Sequence, residues 1–266
     1  MNKTLLFFVA VALMCACSDD DAEPGKEYGE LIQIERYSRD TKWQTTQLEY
    51  LQAAQVQKLT VNTITAAENK YELTYENGIA TGLQLTIDYY QPSYTDQTIV
   101  YRIAYDANEI TLTPTTANGN KVIIRTTDGF IDCFVVFYGE NDEYFTEETF
   151  TRTSNNAIES VSVYDTNPSG STIFVWQHTF SDFKPNVNLN PVYNPIFDVL
   201  DMNLITVLNL KISTENPTLS YRRTGTDPQK STYRTIAFDV TTNGFVEKGT
   251  MNANASSHDY VFTYEE

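Results

Sequence analysis

Tyr71-Glu72-Leu73-Thr74-Tyr75-Glu76-Asn77-Gly78-Ile79 alternates ring or aliphatic side chains with polar ones and then halts at Asn-Gly. Successive side chains of a strand point to opposite faces. Tyr71, Leu73 and Tyr75 therefore share one face, and Glu72, Thr74 and Glu76 share the other. Asn77-Gly78 accepts the positive φ angles of a two-residue hairpin turn. Past the turn, Leu83, Leu85, Ile87 and Tyr89 oppose Gln84, Thr86 and Asp88. The stretch reads as an antiparallel hairpin with one apolar face.

The same outline recurs outward from this hairpin. Polar turns at Asp106-Ala107-Asn108-Glu109, Asp128-Gly129, Asn155-Asn156 and Asn243-Gly244 separate apolar strand ends from β-branched or aromatic restarts. The units return every roughly 25–30 residues, a degenerate repeat rather than a strict array. Trp43 to Lys58 is ambiguous: Leu48, Leu51, Ala54 and Gln55 suit a short helix, whereas the surrounding repeat favours strands. Glu30 to Tyr37 reads as a first strand and Tyr260 to Tyr264 as the last. Phe130 to Tyr138 is apolar on both faces and is expected to lie centrally. The Pro-rich run Phe183 to Pro195 breaks the hairpins. Apolar residues at 196, 197, 200, 204, 207 and 208 then match helical spacing, with Pro195 suited to a first helical position. The expected fold class is all-β: a long antiparallel meander of β-hairpins forming a twisted open sheet, with one short helix near 196–208.

Residues 1–16 carry the features of a secretory signal. Lys3 is followed by the apolar run Leu5 to Leu13, about half the length that a membrane-spanning helix needs. Met14-Cys15-Ala16-Cys17 resembles a bacterial lipobox, which implies lipidation of Cys17 after cleavage behind Ala16. Met14 and Cys15 depart from the usual residues of that motif. The alternative is an ordinary secreted protein cut after Ala16. Ser18-Asp19-Asp20-Asp21 resembles the surface-export signal of Bacteroidetes lipoproteins; an acidic run that merely keeps a tether solvated is the other reading. The domain plan is 1–16 signal peptide, 17–27 lipidated cysteine and acidic tether, and 28–266 a single β-hairpin-repeat domain. The expected location is the outer membrane, lipid-anchored and facing the medium.

Composition narrows the function classes. The 266 residues are 41% hydrophobic and 13% aromatic, enough to bury a core. The net charge of −17, from 35 acidic against 18 basic residues, argues against nucleic acid as a partner. Of three cysteines, Cys15 leaves with the signal and Cys17 takes the lipid. Cys133, set among large apolar residues, is then a lone, buried, inert thiol.

The hairpin units of the Tyr-x-x-Asn-Gly-x-Ile kind, together with the leader, resemble Bacteroidetes surface lipoproteins with a YD-repeat-like (RHS-like) β-hairpin domain of unknown function. Asp182-Phe183-Lys184-Pro185-Asn186 and Asn194-Pro195 are similar to a break late in such domains. The resemblance implies a long antiparallel meander and no activity.

No phosphate-binding loop, dinucleotide fingerprint, nucleophile elbow or paired-histidine metal motif appears, so no cofactor, metal or catalytic residue is expected. His178 shares a face with Phe174, Trp176 and Phe180 and reads as a stacked, hydrogen-bonded structural histidine. His258, in Ser256-Ser257-His258-Asp259, is read in a loop before the last strand; adjacency does not make a triad. Gly139 to Glu143 with Glu147-Glu148 forms an acidic stretch, read as solvated in preference to calcium-binding. The 18 tyrosines and two tryptophans are the better lead, because exposed rings on a sheet make platforms for sugars. The candidates are Trp43, Tyr89, Tyr90, Tyr94 and Trp176, with cross-strand packing as the competing use. The expected function is a non-enzymatic binding or structural module of the cell envelope, with a glycan or envelope protein as partner. A glycan-active hydrolase and an adhesin or envelope-assembly accessory protein are the alternatives.

Overall fold

The computed structural model describes residues 29–52, 55–139, 142, 144–185, 202–224, 232–241, 245–253 and 256–265. The signal, Cys17, the Ser18–Asp21 run, the tether, Asn243-Gly244 and residues 195–201 of the expected helix lie outside these residues.

Sixteen strands follow one another in chain order. They are β1 (Leu31–Ser38), β2 (Thr41–Gln52), β3 (Gln55–Thr63), β4 (Ala67–Glu76), β5 (Ile79–Tyr89), β6 (Gln97–Asp106), β7 (Glu109–Pro114) and β8 (Val122–Thr127). The second half is β9 (Phe130–Tyr138), β10 (Tyr144–Arg152), β11 (Ile158–Thr166), β12 (Thr172–Pro185), β13 (Glu215–Thr224), β14 (Thr232–Val240), β15 (Val246–Ala253) and β16 (Ser256–Tyr264). A helix, α1 (Met202–Val207), precedes β13. Each strand pairs antiparallel with its sequence neighbours, and β1 pairs with β16, from Leu31 opposite Tyr264 to Tyr37 opposite Asp259.

The sheet is therefore a closed barrel. This corrects the expected open twisted sheet. The hairpin pattern governs neighbouring strands only, whereas closure rests on pairing the two ends of the meander. A closed wall has no edges, which removes the templating hazard of an open sheet. It also leaves no central strand, so β9 is not central, although both its faces are covered: Phe134 inside and Cys133 and Val135 outside are all buried.

The local reasons are those of the sequence. Asn77 and Gly78 have φ of 52° and 79°, and Asp128 and Gly129 have 52° and 81°, as a two-residue hairpin turn of this kind requires. The β1–β2 turn uses Arg39 and Asp40 in the same region without glycine. The described residues of Trp43 to Lys58 lie in strands β2 and β3. Helix α1 falls within the expected 196–208. It ends in a Schellman motif, with Asn209 at φ 52° and Leu210 N–H donating to the Ile205 carbonyl at 3.1 Å. His258 lies within β16 rather than in a loop before it.

The faces of the wall differ sharply. Leu59, Leu112, Ile124, Ile131, Phe134, Ile158 and Val161 point inward with no solvent exposure. A round sixteen-stranded barrel would leave an aqueous lumen; here the inner faces pack against other side chains. The 202–214 segment supplies part of that filling. Leu204, Ile205, Val207 and Ile212 are buried, and α1 packs on β3 and β4. From there the chain reaches the opposite wall. Ile131 N–H donates to the Lys211 carbonyl at 2.9 Å, Ile158 N–H to Ser213 Oγ at 2.9 Å, and Thr214 N–H to the Asn156 carbonyl at 3.1 Å. Both ends of the described chain meet at this capped end, where Gly29 N–H donates to the Glu265 carbonyl.

The outer face is polar. Glu35–Lys42 at 2.8 Å, Glu49–Lys58 at 3.0 Å, Lys70 between Glu68 and Asp88, and Glu109–Arg125 at 3.1 Å ladder across it. Exposed pairs of this kind contribute little stability, but they fix the solvent. A transmembrane barrel presents an apolar band about 25 Å tall to lipid and keeps polar groups inside. This wall has the reverse polarity. Its apolar outer patch, around Val135, Phe137 and Phe145, is bordered by Lys121, Arg125 and Glu147.

Candidate functional site

Hairpins at the end remote from α1 carry most of the exposed rings; Tyr105, 49% exposed, lies at the other end. Trp43 opens β2 and is 42% exposed; Tyr90 and Tyr94, in the β5–β6 connection, are 46% and 60% exposed. Tyr89 and Tyr94 rings lie 5.3 Å apart at 31°. Four of the five expected aromatic residues thus sit at the distal end. Trp176 does not join them. It is 8% exposed inside the barrel, edge-on to His178 and beneath the Arg222 guanidinium at 4.8 Å. His178 is fully buried, with Nδ1 3.0 Å from Ser220 Oγ and its ring stacked on Phe180. That is a structural environment.

A better-formed site lies on β9–β12 at the same end. Tyr138 and Tyr144 face each other across the β9–β10 ladder and stack at 5.3 Å with a 14° tilt. They head a groove of about 560 Å³ that continues over Phe145, Thr146, Asp165 and Ile173 to the Asn167–Ser171 turn. Thr146 Oγ1 donates to Asp165 Oδ1 at 2.7 Å, fixing the carboxylate. Asn167 Oδ1 accepts from the N–H groups of Ser169 and Ser171, which with Gly170 at φ 80° shapes the turn. Burial, ahead of the nearby Asp165 and Glu148 carboxylates, raises the Tyr138 hydroxyl pKa, so Tyr138 stays neutral and able to donate. Tyr144 is 43% and Ile173 61% exposed, leaving an apolar floor open to solvent.

Of the acidic stretch, Glu140, Asn141 and Glu143 lie outside the described residues, and no group of acidic, histidine or cysteine side chains among the described residues could hold a metal ion. Glu147 and Glu148 alternate on β10: Glu148 is sealed inside, and Glu147 accepts a hydrogen bond from the Cys133 thiol on the outside at 3.2 Å. Burial first, then the Glu147 carboxylate, pushes the Cys133 thiol up to about 12. It is inert, as its apolar neighbours in sequence implied. Among the described residues the groove is lined by one carboxylate, Asp165.

Sequence reasoning missed Tyr138, Tyr144, Asp165 and Ile173. Tyr138 and Tyr144 flank the acidic Gly139–Glu143 run, and the available signal was that they bracket a hairpin.

No protein-family model matches the chain, and no curated protein matches it. Solved structures that align with it include a porin-like protein from Bacteroides uniformis, at 11% identity and TM-score 0.44 over 90% of this chain and 99% of that one. A porin-like protein from Bacteroides vulgatus aligns at 11% identity and TM-score 0.48 over 89% and 99%. Likeness at this level carries no function across.

Proposed function

We propose that the chain is a non-enzymatic saccharide-binding barrel, held at the outer membrane of a Bacteroidetes-type envelope by a lipid on Cys17 and displayed in water beyond it. Ser18, Asp19, Asp20 and Asp21 would serve as its export signal. The YD-repeat-like lipoproteins named above are the group it would belong to. The polar outer wall supports a barrel outside the bilayer rather than within it. Because β1 enters at the capped end, a tether there turns the distal rings away from the membrane.

The stacked Tyr138–Tyr144 pair above Asp165 is the observation that carries the binding reading. Rings supply an apolar face for a sugar's C–H groups, and a fixed carboxylate and hydroxyls accept and donate to its hydroxyls. Hydrolysis would need two carboxylates set at roughly 5–9.5 Å about one bond, and among the described residues one lines the groove.

Titration of the soluble barrel with a panel of neutral plant and host oligosaccharides tests this. Tyr144→Ala is expected to weaken binding at least about tenfold, or about 1.4 kcal/mol, with no change in fold because the ring is half-exposed. Equal affinity in the variant, or no binding across the panel, would overturn the reading.

A further inference from the structure

The tyrosine groove has a charge as well as a shape. Tyr144 and Thr146 share one face of β10; Thr146 lies opposite Asp165 on β11, and Asp165 lies opposite Ile173 on β12. On such a ladder the diagonal step from Tyr144 to Asp165 is about 7–8 Å. A sugar ring laid on the Tyr144 ring therefore sets one of its exocyclic groups against the Asp165 carboxylate.

Asp165 is half-buried, and its charge is not answered within the groove. Thr146 Oγ1 donates to its Oδ1 at 2.7 Å, whereas Oδ2 makes no hydrogen bond and Asp165 no ion pair among the described residues. Neither cross-strand neighbour, Thr146 or Ile173, is a cation. Among the described residues no lysine, arginine or histidine lines the groove. Lys121, just ahead of β8, pairs with Asp142 at 3.0 Å and lies over the outward Phe137 ring. Fully buried Glu148 follows Thr146 on the same face of β10. Behind burial, Asp165 and Glu148 both raise the Tyr138 pKa, so their negative field reaches the stacked rings.

A ligand carboxylate would meet a like charge here with no base to offset it. A neutral hydroxyl would donate to Oδ2. An ammonium would donate to it with opposite charge, and charge-assisted bonds of that kind are roughly twice as strong as neutral ones. Tyrosine faces attract the same cation.

We propose that the groove selects a saccharide bearing a protonated amine, with the ammonium on Asp165 Oδ2 and the sugar face against Tyr144. This selection rests on the saccharide function proposed above.

The test titrates the soluble barrel, at a pH where the amine is protonated, with oligosaccharides of equal length: a chitosan oligomer, its fully N-acetylated form and an oligogalacturonate. The free amine is expected to bind at least about tenfold tighter than the N-acetylated form, and the uronate at least about tenfold weaker than it. Added salt should narrow both gaps. Asp165→Asn keeps the oxygen that accepts from Thr146 and removes the charge. It should abolish the amine preference and hold the N-acetylated oligomer within about threefold of the wild type. Glu72→Gln takes one charge from the exposed outer wall and should leave the preference intact, which separates Asp165 from the net charge of −17. Tyr144→Ala should weaken the amine and N-acetylated forms alike. Methylammonium should not displace the chitosan oligomer; displacement would make this an amine site without sugar selection and overturn the saccharide part. A preference that survives Asp165→Asn would overturn the inference. So would equal affinity for the two forms, both weakened by Tyr144→Ala, and that result would leave the saccharide function standing. Binding of none of the oligomers would overturn both.

Discussion

Leu83→Asp is expected to cost at least about 5 kcal/mol, whereas Gln84→Arg, one residue on, should change stability by no more than about 0.5 kcal/mol. Leu83 is 3% exposed and sits inside against Leu73 and Tyr101. A carboxylate there would lose the apolar contacts, leave a cavity and have to be desolvated or protonated. Gln84 is exposed on the outer face opposite Glu72, so an arginine gains a partner and stays hydrated. The contrast separates this barrel from a membrane one. In a lipid-facing wall, arginine near mid-strand would cost about 2–4 kcal/mol. Urea unfolding followed by circular dichroism measures both variants. Similar losses for the two would mean that the outer face is not in water.

Arg152→Met is expected to destabilise the protein by about 3 kcal/mol and to free the 202–214 segment from the β9–β11 wall. Arg152 joins three elements. Its Nε donates to the Ile212 carbonyl at 3.0 Å, Nη1 to Asp132 at 2.9 Å and Nη2 to the Ile131 carbonyl. The side chain is 8% exposed, and burial lowers its pKa more than Asp132 restores it, so the ion pair alone contributes little. Asp132 is 40% exposed and would rehydrate. The loss comes from two carbonyls stripped of a charged donor inside a packed capped end. Methionine keeps most of the volume, so the cost is not a cavity. Hydrogen exchange should show faster exchange at the Ile131 and Ile158 amides, which bond to Lys211 and Ser213. Unchanged protection there would detach Arg152 from the role assigned to it.

How much of this was legible depended on range. Alternation within a strand and an Asn-Gly or Asp-Gly turn are local signals, and they gave the β4–β5 and β8–β9 hairpins. Period-two burial at Tyr71, Leu73 and Leu83 followed from the same alternation. Closure was not legible. Leu31 meets Tyr264 across the whole length of the chain, and no local propensity encodes such a pairing. The site was legible in kind but not in place. Aromatic abundance pointed to rings at a surface, yet composition could not separate Trp176, which faces the core, from Tyr144, which faces solvent. Asp165 was invisible for a related reason. In a half-buried strand a polar residue on the apolar side looks like noise until the register sets Asp165 opposite Thr146, on the Tyr144 face of β10.

The placement we propose is a barrel in water, tied to the membrane by a lipid on Cys17. Cys17→Ala, expressed in a Bacteroidetes host and fractionated without detergent, tests it most directly. The account predicts a folded β-rich protein in the aqueous fraction, lacking the mass of the lipid that the wild type carries. A variant that stays with the membrane and comes out only in detergent would contradict it.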